Sequence, residues 1–300
     1  MISQRTENGL AILKLESDLL CVELAPAVGG KFTSVYNKLL NKEFLWHNDS
    51  LPLEKLDTGA DYDSNFWGGI DELLPSDIPE KVDGIDYPDH GELWTTSLDY
   101  IVGEHSVILS GILPQSRLFY QKTISLTSNL PEVNVNYCIR NLSGTTRHFL
   151  WKLHAALQIA AGDQMETRAT TARIVYPESS RFQTNHEFIW PVIEDTDASV
   201  VPVKNNTMDF FYLYGDSNGE MSMLSHNRSH RFSLRYDKTV FPYQWYFASY
   251  GQFRDHYTAI LEPASAMPVS INEAAALGQC SVLKPWEEIN TTVTIYAGRM

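Results

Sequence analysis

Glu132-Val133-Asn134-Val135-Asn136-Tyr137-Cys138-Ile139-Arg140 alternates polar and apolar side chains almost without a break. Successive side chains of a strand point to opposite faces, so Val133, Val135, Tyr137 and Ile139 share one face. Glu132, Asn134, Asn136 and Arg140 share the other, which is the pattern of a half-buried antiparallel strand. The same period returns where Phe232, Leu234 and Tyr236 alternate with Arg231, Ser233, Arg235 and Asp237, and again where Val293 and Ile295 alternate with Thr292 and Thr294. Turn formers separate such runs at Asn141-Leu142-Ser143-Gly144, Asp216-Ser217-Asn218-Gly219 and Lys284-Pro285-Trp286-Glu287. Helix-like segments are few and short, residues 272–277 before Gly278 being one. Residues 51–92 are rich in Asp, Gly and Pro and poor in periodicity, which predicts a long loop that is functional or mobile. No linker and no repeat divides the chain, so the expected fold is one mostly antiparallel all-β domain over residues 1–300.

Size and charge narrow the function. Three hundred residues with 43% hydrophobic content can bury a large core. A net charge of −14 repels nucleic acid and anionic membranes, and it disfavours phosphorylated ligands. The first residues carry no apolar leader segment, and no run approaches the ~18 apolar residues of a membrane span. Cys21, Cys138 and Cys280 have no metal-like spacing and read as reduced core residues of a cytoplasmic protein. His226 and His230 would converge on a metal only in a helix, and they lie at the entry to an alternating strand, so no metal site is expected. Neither a dinucleotide fingerprint nor a phosphate-cradling glycine loop is present, and no cofactor is predicted.

Three segments carry chemistry. Tyr257-Thr258-Ala259-Ile260-Leu261-Glu262-Pro263 is a buried-type strand closed by a carboxylate. Pro263 lacks an N–H, so it is expected to end the ladder and hold Glu262 extended. A carboxylate partly desolvated there acquires the raised pKa of a general base. Phe149-Leu150-Trp151-Lys152-Leu153-His154-Ala155-Ala156-Leu157 places Lys152, His154 and Ala156 on one face of an apolar strand. A single histidine there is more often a satisfied core residue, but two ionisable groups on one face imply a polar cavity. In Tyr87-Pro88-Asp89-His90-Gly91-Glu92, the flanking Pro and Gly put His90 on a turn at the mouth of a sheet.

Together these segments resemble the aldose 1-epimerase (galactose mutarotase-like) superfamily, especially its divergent bacterial members. Gly29-Gly30-Lys31-Phe32 is similar to the family's early strand with paired glycines, and Asp89-His90-Gly91 to its His-Gly turn. Residues 141–154 resemble the strand pair ending in the catalytic His, and Ile260-Leu261-Glu262-Pro263 the strand bearing the catalytic Glu. Leu283-Lys284-Pro285-Trp286-Glu287 is similar to a closing Leu-x-Pro-Gly-Glu turn, with Trp in place of Gly. The resemblance implies a β-supersandwich that binds a monosaccharide and interconverts its α and β anomers without a cofactor, as a monomer or a homodimer.

The resemblance also implies roles. Glu262 would be the base and His154 the acid, with His90 bonding the ring oxygen and Asp209 gripping a ring hydroxyl. The family's Arg upstream of the His-Gly turn is missing, and Trp67-Gly68-Gly69-Ile70-Asp71-Glu72 stands there instead. Glu72 becomes a candidate for sugar hydroxyls, its alternative being a solvated loop residue. Lys152 and Trp245 are further candidates for substrate binding, Trp245 by stacking on an apolar sugar face, its alternative and the favoured account being a core Trp. The alternative function is a carbohydrate-binding or sensing protein without catalysis on the same fold. A carbohydrate lyase would need an added helical domain, for which this chain has no room.

Overall fold

The computed structural model describes residues 1–182, 186–215 and 218–300. Among these residues almost every element is a strand, and all pairings between strands are antiparallel. Asp216 and Ser217 of the anticipated turn lie outside the described residues.

The strands form two large sheets and three two-stranded ribbons. The smaller large sheet has eight strands and contains Glu132–Asn141 between Leu118–Leu126 and Glu288–Arg299. Its alternation is as read: Val133, Val135 and Ile139 are fully buried while Asn136 and Arg140 are exposed. The larger sheet has twelve strands, and its middle runs Lys31–Asn37, Ile70–Leu73, Lys152–Gln158, Tyr257–Ala264, Tyr243–Tyr250, Met208–Tyr214. One face of it, with Leu153, Ala155, Leu261 and Tyr246, packs on the eight-stranded sheet in a single core. The opposite face, with Lys152, His154, Ile260 and Glu262, is open and holds a cavity. This is a β-supersandwich whose second face is left for function.

Three expectations are corrected. Ile70–Leu73, inside the supposed loop of residues 51–92, is a buried central strand between Lys31–Asn37 and Lys152–Gln158. Four residues are too few for periodicity to show, and both faces are covered. Pro263 does not end its strand, which continues to Ala264. It interrupts the ladder instead: Lys152 pairs with Ala264 and Ala155 with Leu261, but the two positions between form no bridge. The missing proline N–H accounts for the gap. The three cysteines are free and half-buried, not core. Cys138 has the parity of Asn134 and Asn136, which face outward.

The only α-helix among the described residues, Ile271–Ala276, begins at Ser270, whose hydroxyl accepts from Glu273 N. Its Ile271 and Ala274 pack on Trp245 and Tyr212 and cover one end of the open face. In the Lys284–Glu287 turn, Trp286 has φ of 68° and is 67% exposed. An L-residue is strained in that region and glycine is not. Trp286→Gly is therefore expected to raise the unfolding free energy by about 0.5 kcal/mol, the relief of left-handed strain outweighing glycine's entropy. A urea midpoint unchanged or lowered would refute that balance.

Candidate active site

The registers of the larger sheet line up a row of side chains across its open face. His154 pairs with Asp71, Glu262 with Trp245, and Trp245 with Tyr212. The Lys152–Ala264 and Ala155–Leu261 pairs put His154 opposite Glu262 across the proline gap. Directly opposed residues of antiparallel strands share a face, so Asp71, His154, Glu262, Trp245 and Tyr212 form one transverse row. Above it lies a cavity of about 330 Å³, within the range of small-molecule sites (~300–1,000 Å³). Tyr62, Phe66, Phe210, Phe247 and Phe253 form its aromatic walls, and Lys152, His154, Asp77, His90 and Glu262 supply its charge and hydrogen-bonding groups.

His90 reaches the cavity because its turn is fixed. Its φ is 53°, and Gly91 follows with φ of 75°. A Cβ on Gly91 would lie 2.3 Å from Leu74 O, so only glycine fits. His90 N donates to Asp77 O at 3.0 Å, and Tyr62 N donates to Asp89 Oδ2 at 2.9 Å. The imidazole lies flat on Tyr62, ring centres 4.1 Å apart, with Nδ1 2.8 Å from Asp89 Oδ1.

A compact charge network occupies the floor. Lys152 Nζ is 2.6 Å from Asp77 Oδ1 and 2.5 Å from Glu262 Oε2, and it sits 4.5 Å above the Trp245 ring. Burial raises the pKa of Glu262, and the Lys152 ammonium opposes that only in part. Burial lowers that of Lys152, but Asp77 and Glu262 outweigh it and leave the ammonium more firmly protonated than usual. For His90, burial is likewise outweighed by Asp89 and Asp77, and its pKa is raised. His154 goes the other way: burial, then the cations Lys152, His90 and Lys31, push its pKa well below the histidine range.

The tautomer of His154 follows from its neighbours. Tyr62 Oη donates its one proton to Asp71 Oδ2 at 2.8 Å, and Asp71 is held by Lys31 Nζ at 2.8 Å. Toward His154 Nδ1, 3.3 Å away, the phenol oxygen can only accept. Nδ1 therefore carries the proton, and Nε2 is an acceptor.

The structure brings Glu262, His154, His90 and Lys152 together in the cavity. It does not bring Asp209, Glu72 or Trp245 there. Asp209 alternates with Met208 and Phe210, which line the cavity, and so points away from it. Its carboxylate receives Arg181 Nε at 2.6 Å and Ser180 Oγ at 3.0 Å, an internal ion pair rather than a grip on a sugar. Glu72 alternates with Asp71 and enters the core between the sheets, where Lys122 Nζ lies 2.8 Å from both of its oxygens. It is neither a sugar ligand nor a solvated loop residue. Trp245 is in the row but has no exposed surface, because Lys152 and the helix segment cover it.

Sequence reading missed Asp77 and Tyr62. Asp77 follows a short strand by four residues and carries no periodic signal. Its trace is the run Asp71-Glu72-Leu73-Leu74-Pro75-Ser76-Asp77, too acidic for a plain turn. Tyr62 belongs to the irregular segment before the Asp63–Asn65 3-10 helix and had no signal.

No family model matches the chain, and no curated protein matches it in sequence. Solved structures match it in fold along its length. A galactose mutarotase-like protein from Clostridium acetobutylicum superposes with a TM-score of 0.73 at 14% identity, covering 100% of this chain and 99% of that one. A galactose mutarotase related enzyme from Lactobacillus acidophilus gives 0.66 at 13% identity, over 95% and 97% of the two chains. A galactose mutarotase-like protein from Lactobacillus casei gives 0.63 at 16% identity, over 95% and 99%.

Proposed function

On the galactose mutarotase-like fold that this chain shares with those structures, we propose that the cavity binds a free aldose in its ring form and interconverts its anomers. The observation that carries the reading is Glu262. It is a carboxylate 1% exposed, on the floor of an aromatic-walled cavity, beside the Lys152 ammonium and with its pKa raised by burial. Core packing gives no reason to put a charge there, and proton abstraction does.

The chemistry needs only protons. Glu262 takes the proton of the anomeric hydroxyl while an acid delivers one to the ring oxygen. The bond from C1 to the ring oxygen breaks, and an open-chain aldehyde forms. Rotation about C1–C2 and the reverse transfers close the ring on its other face. No electrons are gained or lost, so no redox partner is called for. The aromatic walls suit the apolar faces of a pyranose. His154, with an acceptor at Nε2, suits a sugar hydroxyl, and this replaces the acid role implied by the resemblance. His90 offers its charge to a ring oxygen or hydroxyl.

The test is anomer exchange by saturation-transfer NMR on a panel of neutral aldoses. Exchange above the spontaneous rate is the expected result. Ligand broadening without exchange would favour a sugar-binding protein instead. A pH series adds a second expectation. Glu262 works ionised, so activity is lost as pH falls, and the raised pKa puts that loss above the ordinary glutamate range. An acid limb at or below that range would count against a desolvated base.

A further inference from the structure

Within that reading, we infer that Lys152 is the acid that protonates the ring oxygen, and that Asp77 is the residue that positions it. A hemiacetal carbon presents its two oxygens side by side. An acid and a base that serve both must therefore lie next to each other. Lys152 Nζ and Glu262 Oε2 are 2.5 Å apart at the cavity floor, and Asp77 Oδ1 holds the ammonium from the other side at 2.6 Å. The histidines are placed otherwise. His154 has its proton on Nδ1, turned to Tyr62, and a lone pair on Nε2. His90 has Nδ1 on Asp89, its ring flat on Tyr62, and Nε2 3.9 Å from Asp77.

The proton accounting closes. Ring opening moves the anomeric O–H proton to Glu262 and one Nζ proton of Lys152 to the ring oxygen, while the C1–O bond electrons go to that oxygen. Reclosure returns the hydroxyl proton to Lys152 and the Glu262 proton to O1. Lys152 and Glu262 end as they began, and the cycle draws no proton from solvent.

The groups facing Lys152 are Asp77 from the segment after Ile70–Leu73, Glu262 from the neighbouring strand and His90 from the turn. His154 on its own strand, Tyr176 beside the cavity and the Trp245 ring beneath complete the set. With a lysine acid, kcat/KM should not fall as pH rises through the histidine range, and its alkaline limb should come only at strongly alkaline pH.

The experiment follows anomer exchange against pH for wild type, Lys152→Met, Lys152→Arg and Lys152→Cys, the last before and after alkylation with 2-bromoethylamine. Alkylation, in which Sγ displaces bromide, rebuilds an ammonium at the same reach, with a lower pKa because of the sulfur. The expected result is at least a ~100-fold loss in Lys152→Met and Lys152→Arg. Rescue of the alkylated cysteine should follow, with an alkaline limb shifted to lower pH than in wild type. A charge-holding role would survive in Lys152→Arg and would not move the limb. Wild-type exchange that falls as pH rises between about 5 and 8 identifies a histidine acid and overturns the inference, even where a variant fails to fold. Exchange that persists in Lys152→Met overturns it while leaving the anomerase reading intact. Absence of exchange in wild type on every aldose overturns that reading, and this inference with it.

Discussion

Glu262→Gln is expected to slow anomer exchange at least ~100-fold while leaving the fold intact. The amide matches the carboxylate in size and cannot take a proton from the anomeric hydroxyl. The fold tolerates the change because the burial that raises the Glu262 pKa is a cost of holding a charge there, and the neutral amide relieves it. Lys152 is not orphaned, since Asp77 still lies 2.6 Å from its ammonium. Sugar binding should weaken much less than turnover, because a base contributes mainly in the transition state. The check is exchange NMR beside a urea unfolding curve for both proteins. Near-normal exchange in the folded variant would remove Glu262 from the mechanism.

The site was legible in the sequence where one strand face is buried against the core and the other carries ionisable groups. Lys152 and His154 share a parity, and two ionisable groups on one face of an apolar strand imply a polar cavity, as does the carboxylate of Glu262 at the end of an apolar run. Reading failed where nothing in the strand fixes which parity is open. Met208–Tyr214 is buried at six of its seven positions, and Ile70–Leu73 at all four. In such strands hydrophobicity does not say which neighbour faces the ligand. Asp209 and Glu72 were each one residue out of phase with the open face, and that parity reverses the meaning of a carboxylate. Asp77 and Tyr62 were invisible for another reason. They sit on irregular backbone, and only the third dimension brings them to the row.

Glu72 also gives the largest expected change in stability. Lys122→Met should destabilise the protein by about 3–5 kcal/mol near neutral pH, the cost of breaking a buried ion pair from one side. Neither side chain of the pair has any exposed surface. Lys122 Nζ is 2.8 Å from each Glu72 oxygen, Tyr137 Oη donates to Oε1 at 2.8 Å, and the ammonium rests 4.6 Å from the centre of the Phe32 ring. Removing the ammonium leaves a carboxylate between two sheets with only the phenols of Tyr137 and Tyr120 beside it. Burial already raises the Glu72 pKa against the pull of Lys122, and without Lys122 nothing cationic opposes it there. A carboxyl whose folded pKa exceeds its unfolded one favours the native state below the unfolded value, and that advantage is lost as pH rises through the folded value. The deficit of Lys122→Met should therefore be greatest at alkaline pH and shrink on acidification. Pairing it with Glu72→Leu removes the stranded charge, and the double variant should recover most of the loss because a buried pair is worth little against a packed apolar one. Urea unfolding of the two single variants, the double variant and wild type at two pH values measures the whole cycle. A loss below ~1 kcal/mol in Lys122→Met, as for a surface pair, would mean that water reaches Glu72. The two sheets would then not be closed over that charge.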